Sequence, residues 1–226
     1  MNQEPLILAL PKGRILKACL PLLKAADIIP EPEFHNEHSR LLRFKTNHPL
    51  LDIIRVRSFD VATFVAFGAA AIGICGSDVL MEFDYPDIYA PLDLGIGNCR
   101  LSVARPEKTQ NEDLNDPARW SQIRIATKYP NLTRRYFAAR GVQADIVNLH
   151  GAMELAPIMN LSSLIVDLVD TGSTLRANGL KEVETIAQIS SRLIINRTAL
   201  KTQSTRVNQI IDRFRQILHS SIQEGK

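Results

Sequence analysis

The sequence lacks the features that define several common protein classes. No segment approaches the roughly 20 consecutive apolar residues of a membrane-spanning helix, and the amino terminus has neither the basic start nor the long apolar stretch of a secretory signal. We also find no sequence repeat, low-complexity tract or long Gly/Ser linker. These absences predict a globular cytoplasmic protein that does not work at a membrane.

Cysteine and histidine are scarce. The three cysteines, Cys19, Cys75 and Cys99, are odd in number, widely spaced and set in apolar surroundings, so neither a disulfide framework nor a zinc site is indicated. His35 and His38 lie three residues apart but lack the other ligands and the helical pattern of a zinc site. We therefore expect reduced core thiols, a solvated histidine loop and no metal site made by protein side chains alone.

Charge and motif content exclude further functions. A net charge of +3 is far below the basic stripe of a protein that grips nucleic acid, and it suits a small anionic ligand better. The sequence contains no Gly-x-Ser-x-Gly motif, no Gly-x-Gly-x-x-Gly motif after a strand and no P-loop. Hydrolase, dinucleotide-dependent and P-loop functions are therefore disfavoured.

Strand-like and helix-like segments alternate along the chain, which favours an α/β fold with mostly parallel sheets. The expected strands cover residues 6–10, 40–44, 51–55, 71–76, 100–104, 123–127, 145–149 and 164–169, and residues 183–195 are again strand-rich. The expected helices cover residues 14–26, 60–68, 132–139, 153–159 and 205–222, with a short helix after Gly76 that Ser77 or Asp78 can cap. Two lobes fit this pattern, with a ligand cleft between them outside the carboxyl ends of the strands.

The most informative segment is residues 164–175, where an apolar strand runs into acidic, hydroxyl and glycine residues. Gly172 lets the turn bring backbone N–H groups close to an anion, and the positive end of the next helix points to the same place. Three hydroxyl residues add donors: Thr171, Ser173 and Thr174. Asp167 and Asp170 repel phosphate but can accept hydrogen bonds from ribose hydroxyls. The segment predicts a site for a phosphorylated ribose; the alternative is a strand-to-helix turn with a Ser/Thr cap.

Cationic residues stand where the first strand ends and the first helix begins, a position at which open α/β sheets bind ligands. Gly13 permits close approach, and Lys12 and Arg14 supply donors for phosphate oxygens. Two solvated side chains beside a turn are the alternative. Arg57 is a similar candidate because a loop and a helix start follow it. Glu154 lies in a predicted helix, where an acid in the first turn more often stabilises the helix dipole than takes part in catalysis.

The order of several motifs resembles one enzyme family, the ATP phosphoribosyltransferases that open histidine biosynthesis. The resembling segments are residues 8–14 (LALPKGR), 57–61, 73–80 (GICGSDVL), 93–97, 99–100, 126–130 (ATKYP), 133–137 (TRRYF), 151–157 (GAMELAP) and 167–174, followed by Leu175, Asn178 and Leu180. Each segment alone is only a modest indication of the family, but the order of all the segments together is highly specific. Members of the family often carry lysine where this chain has Ser77, and a serine does not supply that cation.

The resemblance implies a two-lobed fold like that of type II periplasmic binding proteins. Lobe I would comprise residues 1–96 and 188–226, and lobe II residues 97–187 with the phosphoribosyl-pyrophosphate loop. It also implies the short form of the family, which lacks the C-terminal regulatory domain of long-form relatives. Short forms are similar in needing a separate regulatory subunit that resembles a histidyl-tRNA synthetase catalytic core. A homodimer within a hetero-oligomer is therefore expected.

The reaction implied by the resemblance joins N1 of the adenine of ATP to C1 of 5-phosphoribosyl 1-pyrophosphate and expels pyrophosphate. Residues expected to bind phosphoribosyl pyrophosphate are Asp167, Asp170, Thr171, Gly172, Ser173, Thr174 and Glu154. Residues expected to bind ATP are Lys12, Gly13, Arg14, Arg57, Lys128 and Tyr129. Three of the cations are also expected to act in catalysis: Lys12, Arg14 and Arg57. Mg²⁺ is expected on the substrate phosphates, since this ion typically uses few protein ligands.

Proteins of other classes share parts of this pattern. A non-catalytic two-lobed module that binds small anions would have the same architecture, but a solute-binding protein normally needs a signal peptide and a transcription regulator needs a helix-turn-helix. A salvage phosphoribosyltransferase that acts on a free base has a chemically similar ribose-phosphate loop. The rest of the chain does not match it, and a comparison of free adenine with ATP as acceptor separates the two.

Overall fold

The computed structural model describes residues 4–36, 38–107 and 123–224, and these fall into two compact units. Unit 1 comprises Met1–Leu80, Asp84–Gly97 and Ser190–Lys226, and unit 2 comprises Met81–Phe83 and Asn98–Ile189. The region of the two histidines begins with a 3-10 turn, Pro32–His35, and its Glu37 lies outside the described residues.

Strands and helices alternate through most of the chain. In chain order they are β1 (Leu6–Pro11), α1 (Arg14–Ala25), β2 (Arg43–Lys45), β3 (Leu51–Val56), α2 (Ser58–Ala66), β4 (Ile72–Gly76), α3 (Ser77–Phe83), β5 (Ile88–Asp93), β6 (Cys99–Pro106), β7 (Ile123–Thr127), α4 (Pro130–Ala138), β8 (Ala144–Asn148), α5 (Leu155–Ile158), β9 (Leu164–Val169), α6 (Ser173–Ala177), β10 (Leu180–Ile189), β11 (Ser191–Asn196), α7 (Arg197–Thr202) and α8 (Ser204–Glu224). The predicted α/β class is confirmed.

Unit 1 is built on a six-stranded sheet in the order β2-β3-β1-β4-β11-β5. Its central strands are apolar on both faces because helices cover both. On one face α2 packs so closely that a Cβ added to Gly73 would lie 2.8 Å from Val65 Cγ2. On the other face, α1 and α8 bury Leu23 and Phe214 against the sheet. The predicted amphipathic closing helix is therefore confirmed.

Unit 2 is built on a five-stranded sheet in the order β10-β6-β9-β7-β8. β7 lies parallel to β8 and β9, so these three strands end at the same edge of the sheet. Met153, Ala156 and Leu175 pack with Ile165 and Val169 in one core cluster. This packing fixes the segments before α5 and α6 near the end of β9.

Both sheets are mixed, and the prediction of mostly parallel sheets was wrong. Four strand pairs are parallel: β1 with β3, β1 with β4, β7 with β8, and β7 with β9. Five are antiparallel: β2 with β3, β4 with β11, β5 with β11, β6 with β9, and β6 with β10. Helix alternation signals parallel crossovers, but β2 and β3 form a hairpin and β10 runs into β11 without a helix.

Other differences concern short or exposed elements. The sequence patterns did not predict β5, an edge strand that contains Pro91, or the short helix α7. The strand-rich residues 183–195 belong to two strands, β10 and β11. Neither Ser77 nor Asp78 caps α3 as predicted, because Gly76 occupies the N-cap and no side chain bonds there.

The Cys19 and Cys75 thiols are buried, as expected of core residues, whereas the Cys99 thiol is half-buried. Burial raises the pKa of the Cys19 thiol to about 12. Within the described ranges, no helix is long and apolar enough to cross a membrane.

Candidate active site

One edge of the unit 1 sheet gathers the predicted cationic residues. Parallel strands β1, β3 and β4 end there at Pro11, Val56 and Gly76, with Pro11 in register with Val56. Helices α1, α2 and α3 begin within three residues of those strand ends. Lys12, Arg14 and Arg57 are exposed at these beginnings. Because helix N-termini also carry partial positive charge, this edge is suited to phosphate oxygens.

The turn from β1 to α1 depends on Gly13. Its φ of 85° and ψ of −143° lie in a region that side chains rarely adopt. A Cβ at this position would meet no heavy atom within 4 Å, so the backbone is open to a ligand. The preceding peptide is fixed because the Lys12 N–H donates to the Val56 carbonyl at 2.9 Å. The sequence had indicated this close approach.

Arg57 occupies the N-cap of α2 and is exposed. Its neighbour Arg55 is half-buried and directed elsewhere, since its guanidinium carbon lies 4.7 Å from the centroid of the Phe44 ring and its Nη1 donates to the Phe34 carbonyl at 2.9 Å. Arg57 is therefore the arginine of this pair that the edge presents to solvent.

Sequence reasoning missed a polar cluster at the same edge. The Ser77 hydroxyl accepts a hydrogen bond from the Ser190 N–H at 3.3 Å, and the Ser190 hydroxyl donates to Asp93 Oδ2 at 2.9 Å. Arg192 pairs with the same carboxylate at 3.0 Å. Ser190 and Arg192 reach Ser77 and Asp93 only after the chain returns from unit 2, so no local pattern could have revealed them.

In unit 2 the predicted phosphate loop follows β9, and we call residues 170–174 the phosphate loop. Gly172 has a left-handed φ of 73°, and the Thr171 hydroxyl donates to Ser173 Oγ at 3.0 Å. Thr171, Ser173 and Thr174 are exposed, whereas Leu175 anchors the loop in the core. The glycine conformation that the sequence predicted is present.

The two predicted ribose-binding acids stand at the end of β9. Asp167 is half-buried, and its Oδ1 accepts from the Leu168 N–H at 2.8 Å. Asp170 is exposed, and its backbone carbonyl accepts from Arg100 Nη1 at 2.8 Å. Asp170 is therefore the first residue of the phosphate loop, and Asp167 lies three positions before it on β9.

Glu154 lies close to the same strand end. It occupies the N-cap of α5, one residue after Met153, which is buried in the core cluster with Leu175. The helix is shorter than the sequence predicted, beginning at Leu155. Glu154 and the phosphate loop are thus held by one set of apolar contacts.

Lys128 and Tyr129 follow β7. The Tyr129 N–H donates to Thr127 Oγ1 at 2.9 Å, and that buried hydroxyl donates to the Val166 carbonyl at 2.8 Å. Tyr129 is only 2% exposed, so it offers little surface to a ligand, whereas Lys128 is half-buried.

The structure therefore brings the predicted residues together in two sets. Lys12, Gly13, Arg14 and Arg57 share one edge of unit 1, and the acids, hydroxyls and Gly172 share one edge of unit 2. Among the described residues, no three His, Cys, Asp or Glu side chains cluster in a way that could hold a metal ion. The first set provides cationic side chains, which bind phosphate, and the second provides carboxylates, which accept hydrogen bonds from sugar hydroxyls. A phosphorylated sugar substrate needs both kinds of group.

Comparison with solved structures first defines the class of fold. The alkanesulfonate-binding protein SsuA from Xanthomonas axonopodis pv. citri superposes with a TM-score of 0.56 at 14% identity, over 95% of this chain and 73% of that one. The fold is thus the two-part α/β fold of periplasmic binding proteins, as predicted.

Closer comparisons identify the family. The sequence profile described as HisG, ATP phosphoribosyltransferase, matches residues 57–216. The ATP phosphoribosyltransferase of Paramagnetospirillum magneticum is 65% identical over 94% of this chain and 96% of its own length. A chain of the ATP phosphoribosyl transferase (HisG:HisZ) complex from Thermotoga maritima superposes with a TM-score of 0.80 at 31% identity, over 95% of this chain and 99% of that one. The chain belongs to the ATP phosphoribosyltransferase family.

The expectations of family, enzyme class and pathway are thereby confirmed. The chain is an enzyme, a pentosyltransferase of histidine biosynthesis.

Proposed function

We propose that the chain is the catalytic subunit of a short-form ATP phosphoribosyltransferase. It condenses ATP, through N1 of adenine, with C1 of 5-phosphoribosyl 1-pyrophosphate and releases pyrophosphate. The observation that carries the residue assignment is the phosphate loop, where a left-handed Gly172 is flanked by exposed hydroxyls after the acid-bearing strand β9.

The phosphoribosyl end of the substrate binds to unit 2. The 5-phosphate accepts hydrogen bonds from the phosphate loop, through Thr171, Gly172, Ser173 and Thr174. The Thr171 and Gly172 N–H groups donate to no other group of the described residues, which leaves them for an anion. Asp167 and Asp170 accept from the ribose hydroxyls, and Glu154 completes this site.

The pyrophosphate and the ATP phosphates interact with the cations of unit 1. Lys12, Arg14 and Arg57 neutralise these anions, and the open backbone of Gly13 allows a phosphate to approach. Mg²⁺ enters with the substrates, bound through their phosphates. Lys128 and Tyr129 contribute to ATP binding. Tyr129 acts mainly by fixing its half-buried neighbour Lys128, since its own side chain is buried.

The chemistry requires positioning and charge stabilisation. Departure of pyrophosphate places negative charge on the leaving group and positive charge on the ribose ring, so cations are needed at one end and carboxylates near the other. Adenine N1 has a free lone pair, and no general base is needed to activate it. Lys12, Arg14 and Arg57 therefore act in catalysis by stabilising the leaving group, and most of the rate enhancement comes from alignment of the reactants.

The proposal assigns the two sets of binding residues to two lobes of the chain. Residues 1–96 and 188–226 form lobe I, and residues 97–187 form lobe II with the phosphoribosyl-pyrophosphate loop. The compact units, which change over at Gly97 and Ser190, support these boundaries. A cytoplasmic location suits the supply of both substrates.

A regulatory subunit completes the enzyme. The Thermotoga maritima chain that superposes on this one was solved in a complex named HisG:HisZ. By that likeness, this chain works as a homodimer within a hetero-oligomer, together with a partner that resembles a histidyl-tRNA synthetase. Nucleic acid and membrane have no part in the assembly.

The activity is tested by mass spectrometry of the product. The purified chain, given ATP, phosphoribosyl pyrophosphate and Mg²⁺, is expected to form phosphoribosyl-ATP, and a parallel reaction with free adenine is expected to form no adduct. An adduct with adenine would instead identify a salvage enzyme. No adduct from ATP at high protein concentration, even with the synthetase-like partner, would favour the non-catalytic anion-binding module.

A further inference from the structure

Arg100, on β6, contacts the phosphate loop and a carboxylate at the same time. Its Nη1 donates to the Asp170 carbonyl at 2.8 Å, while its Nε and Nη2 donate to the two carboxylate oxygens of Glu182 at 2.6 and 2.5 Å. The hydroxyls of Ser102 and Thr185 donate to Glu182 Oε1 at 2.7 and 3.2 Å. We propose that Arg100 is a positioning residue that orients the phosphate loop, and that Glu182 holds Arg100 in place.

The physical reason is the direction of the loop carbonyls. A carbonyl oxygen that faced a phosphate would repel it, whereas an N–H group attracts it. Arg100 holds the first carbonyl of the loop, and Arg176 Nη1 holds the next one, that of Thr171, at 3.1 Å. Turned toward arginines, these two carbonyls are kept away from the anion site, and the Thr171 and Gly172 N–H groups stay available to it.

Glu182 and the Asp170 carbonyl use three of the five N–H donors of Arg100, which favours a positioning role over direct binding of phosphate. The hydrogen bonds from Arg100 lower the pKa of Glu182 from its ordinary value of 4.5 to about 2, so the carboxylate is ionised at neutral pH. A bidentate ion pair of this kind fixes the plane of an arginine more firmly than a single contact does.

The same strand provides a matched control. Glu184, two residues along β10, pairs with Arg140 at 2.6 Å, and both side chains are moderately exposed, as in the Arg100 pair. The Arg140 pair makes no contact with the phosphate loop. Breaking it removes an ion pair from the same sheet without touching the Asp170 carbonyl.

The experiment compares ligand affinities and rates of the full-length chain. Phosphoribosyl pyrophosphate and ATP are titrated calorimetrically into the wild type, Arg100→Ala, Glu182→Gln and Glu184→Gln. Displacement of a positioned group by an ångström is costly, so Arg100→Ala is expected to raise the Kd for phosphoribosyl pyrophosphate about tenfold and Glu182→Gln about threefold. Both variants should leave the Kd for ATP unchanged and should raise KM for phosphoribosyl pyrophosphate more than they lower kcat. Glu184→Gln, the control, should show neither the rise in Kd for phosphoribosyl pyrophosphate nor the rise in its KM.

Two results would overturn the inference. One is an equal loss of affinity for both ligands, which indicates general damage; the other is unchanged affinity for phosphoribosyl pyrophosphate in both variants. If Arg100→Ala does not fold, Glu182→Gln and Arg100→Lys decide the question, because each keeps a polar side chain in place.

The inference rests on the proposed phosphate assignment, and one more variant separates the two. Thr171→Ala combined with Ser173→Ala removes hydroxyl donors without disturbing Arg100. If this variant binds phosphoribosyl pyrophosphate normally, the phosphate assignment itself is wrong. If it loses affinity while the Arg100 and Glu182 variants keep theirs, the assignment stands and the positioning role is refuted.

Discussion

Gly172 combines a backbone requirement with a steric one. Its φ of 73° is strained for any residue with a Cβ, and a Cβ there would lie 3.1 Å from Arg176 Nη1, the group that holds the Thr171 carbonyl. We expect Gly172→Ala to lower stability by about 1 kcal/mol, because of the left-handed conformation. We also expect it to weaken binding of phosphoribosyl pyrophosphate, measured by calorimetry beside thermal unfolding.

Gly141 is the natural control for this substitution. It has a similar φ of 76°, but a Cβ there would meet nothing within 4 Å. Gly141→Ala should cost comparable stability without any change in ligand affinity. Identical binding by the two alanine variants would show that the contact with Arg176 is irrelevant to the loop.

At the scale of elements, α4 depends on a carboxylate from a distant part of the sequence. Glu82 is 3% exposed, and its two oxygens accept from the N–H groups of Asn131 and Leu132 at 2.9 Å each. These are two of the unpaired donors at a helix N-terminus, where negative charge is also favourable. Glu82→Gln should cost about 1–2 kcal/mol, by analogy with the loss of a helix cap. In a chain of this size each kcal/mol lowers Tm by about 2–4 °C, which thermal unfolding followed by circular dichroism would detect.

Asp60 tests whether burial and hydrogen bonding, beyond a place near a helix N-terminus, account for the stabilising effect of Glu82. Asp60 lies in the first turn of α2 but is exposed. Asp60→Asn should change Tm by much less than Glu82→Gln, because solvent screens an exposed charge. Equal shifts would mean that general helix-dipole effects account for both residues and that the paired hydrogen bonds of Glu82 add nothing.

The ion pair between β6 and β10 predicts a dependence on pH. Arg100 lowers the pKa of Glu182 from 4.5 to about 2, so the folded state favours the ionised carboxylate. The resulting stability is complete above the unfolded pKa and is lost as pH falls through the folded value. The difference in urea midpoint between wild type and Glu182→Gln should therefore be constant above about pH 5 and shrink toward pH 3. A difference that stays constant down to pH 3 would contradict the lowered pKa.

Elements with local sequence signals were predictable, and contacts between distant residues were not. The strand before the phosphate loop and the helix α8 were predictable because apolar spacing and glycine position are local signals. The direction of β6, β10 and β11 was not, because strand orientation depends on pairing between distant segments. For the same reason Arg100, Glu182 and Glu82 gave no signal. Arg100 lies 82 residues from Glu182 and 70 from Asp170, and Glu82 lies 49 residues from Asn131.

At the scale of the whole molecule, unit 2 is largely an insertion in unit 1. The two crossing points are close, since the Ser191 N–H donates to the Ile96 carbonyl at 2.9 Å. We expect that replacing residues 98–189 by a few glycines leaves a unit 1 that folds, because its core cluster around Leu8, Ile74 and Phe214 is intact. Amide hydrogen exchange should find protection in β1 and β4, together with complete loss of phosphoribosyl-pyrophosphate binding.

A longer deletion serves as the comparison. Removing residues 98–195 also takes away most of β11, whose Leu193, Ile194 and Ile195 are fully buried between β4 and β5. This variant should not fold cooperatively. If the shorter deletion behaves in the same way, unit 1 depends on unit 2 for its stability.

The hydrogen bond between Ile96 and Ser191 also determines how the molecule responds to a mechanical load. A force applied to residues near the two ends of the chain passes through β1 and α8, which both belong to unit 1. While the Ile96 and Ser191 backbones stay joined, the load bypasses residues 98–189. Stretching the chain by its ends would therefore load the elements of unit 1 first, and the phosphate loop would come under tension only after that hydrogen bond breaks.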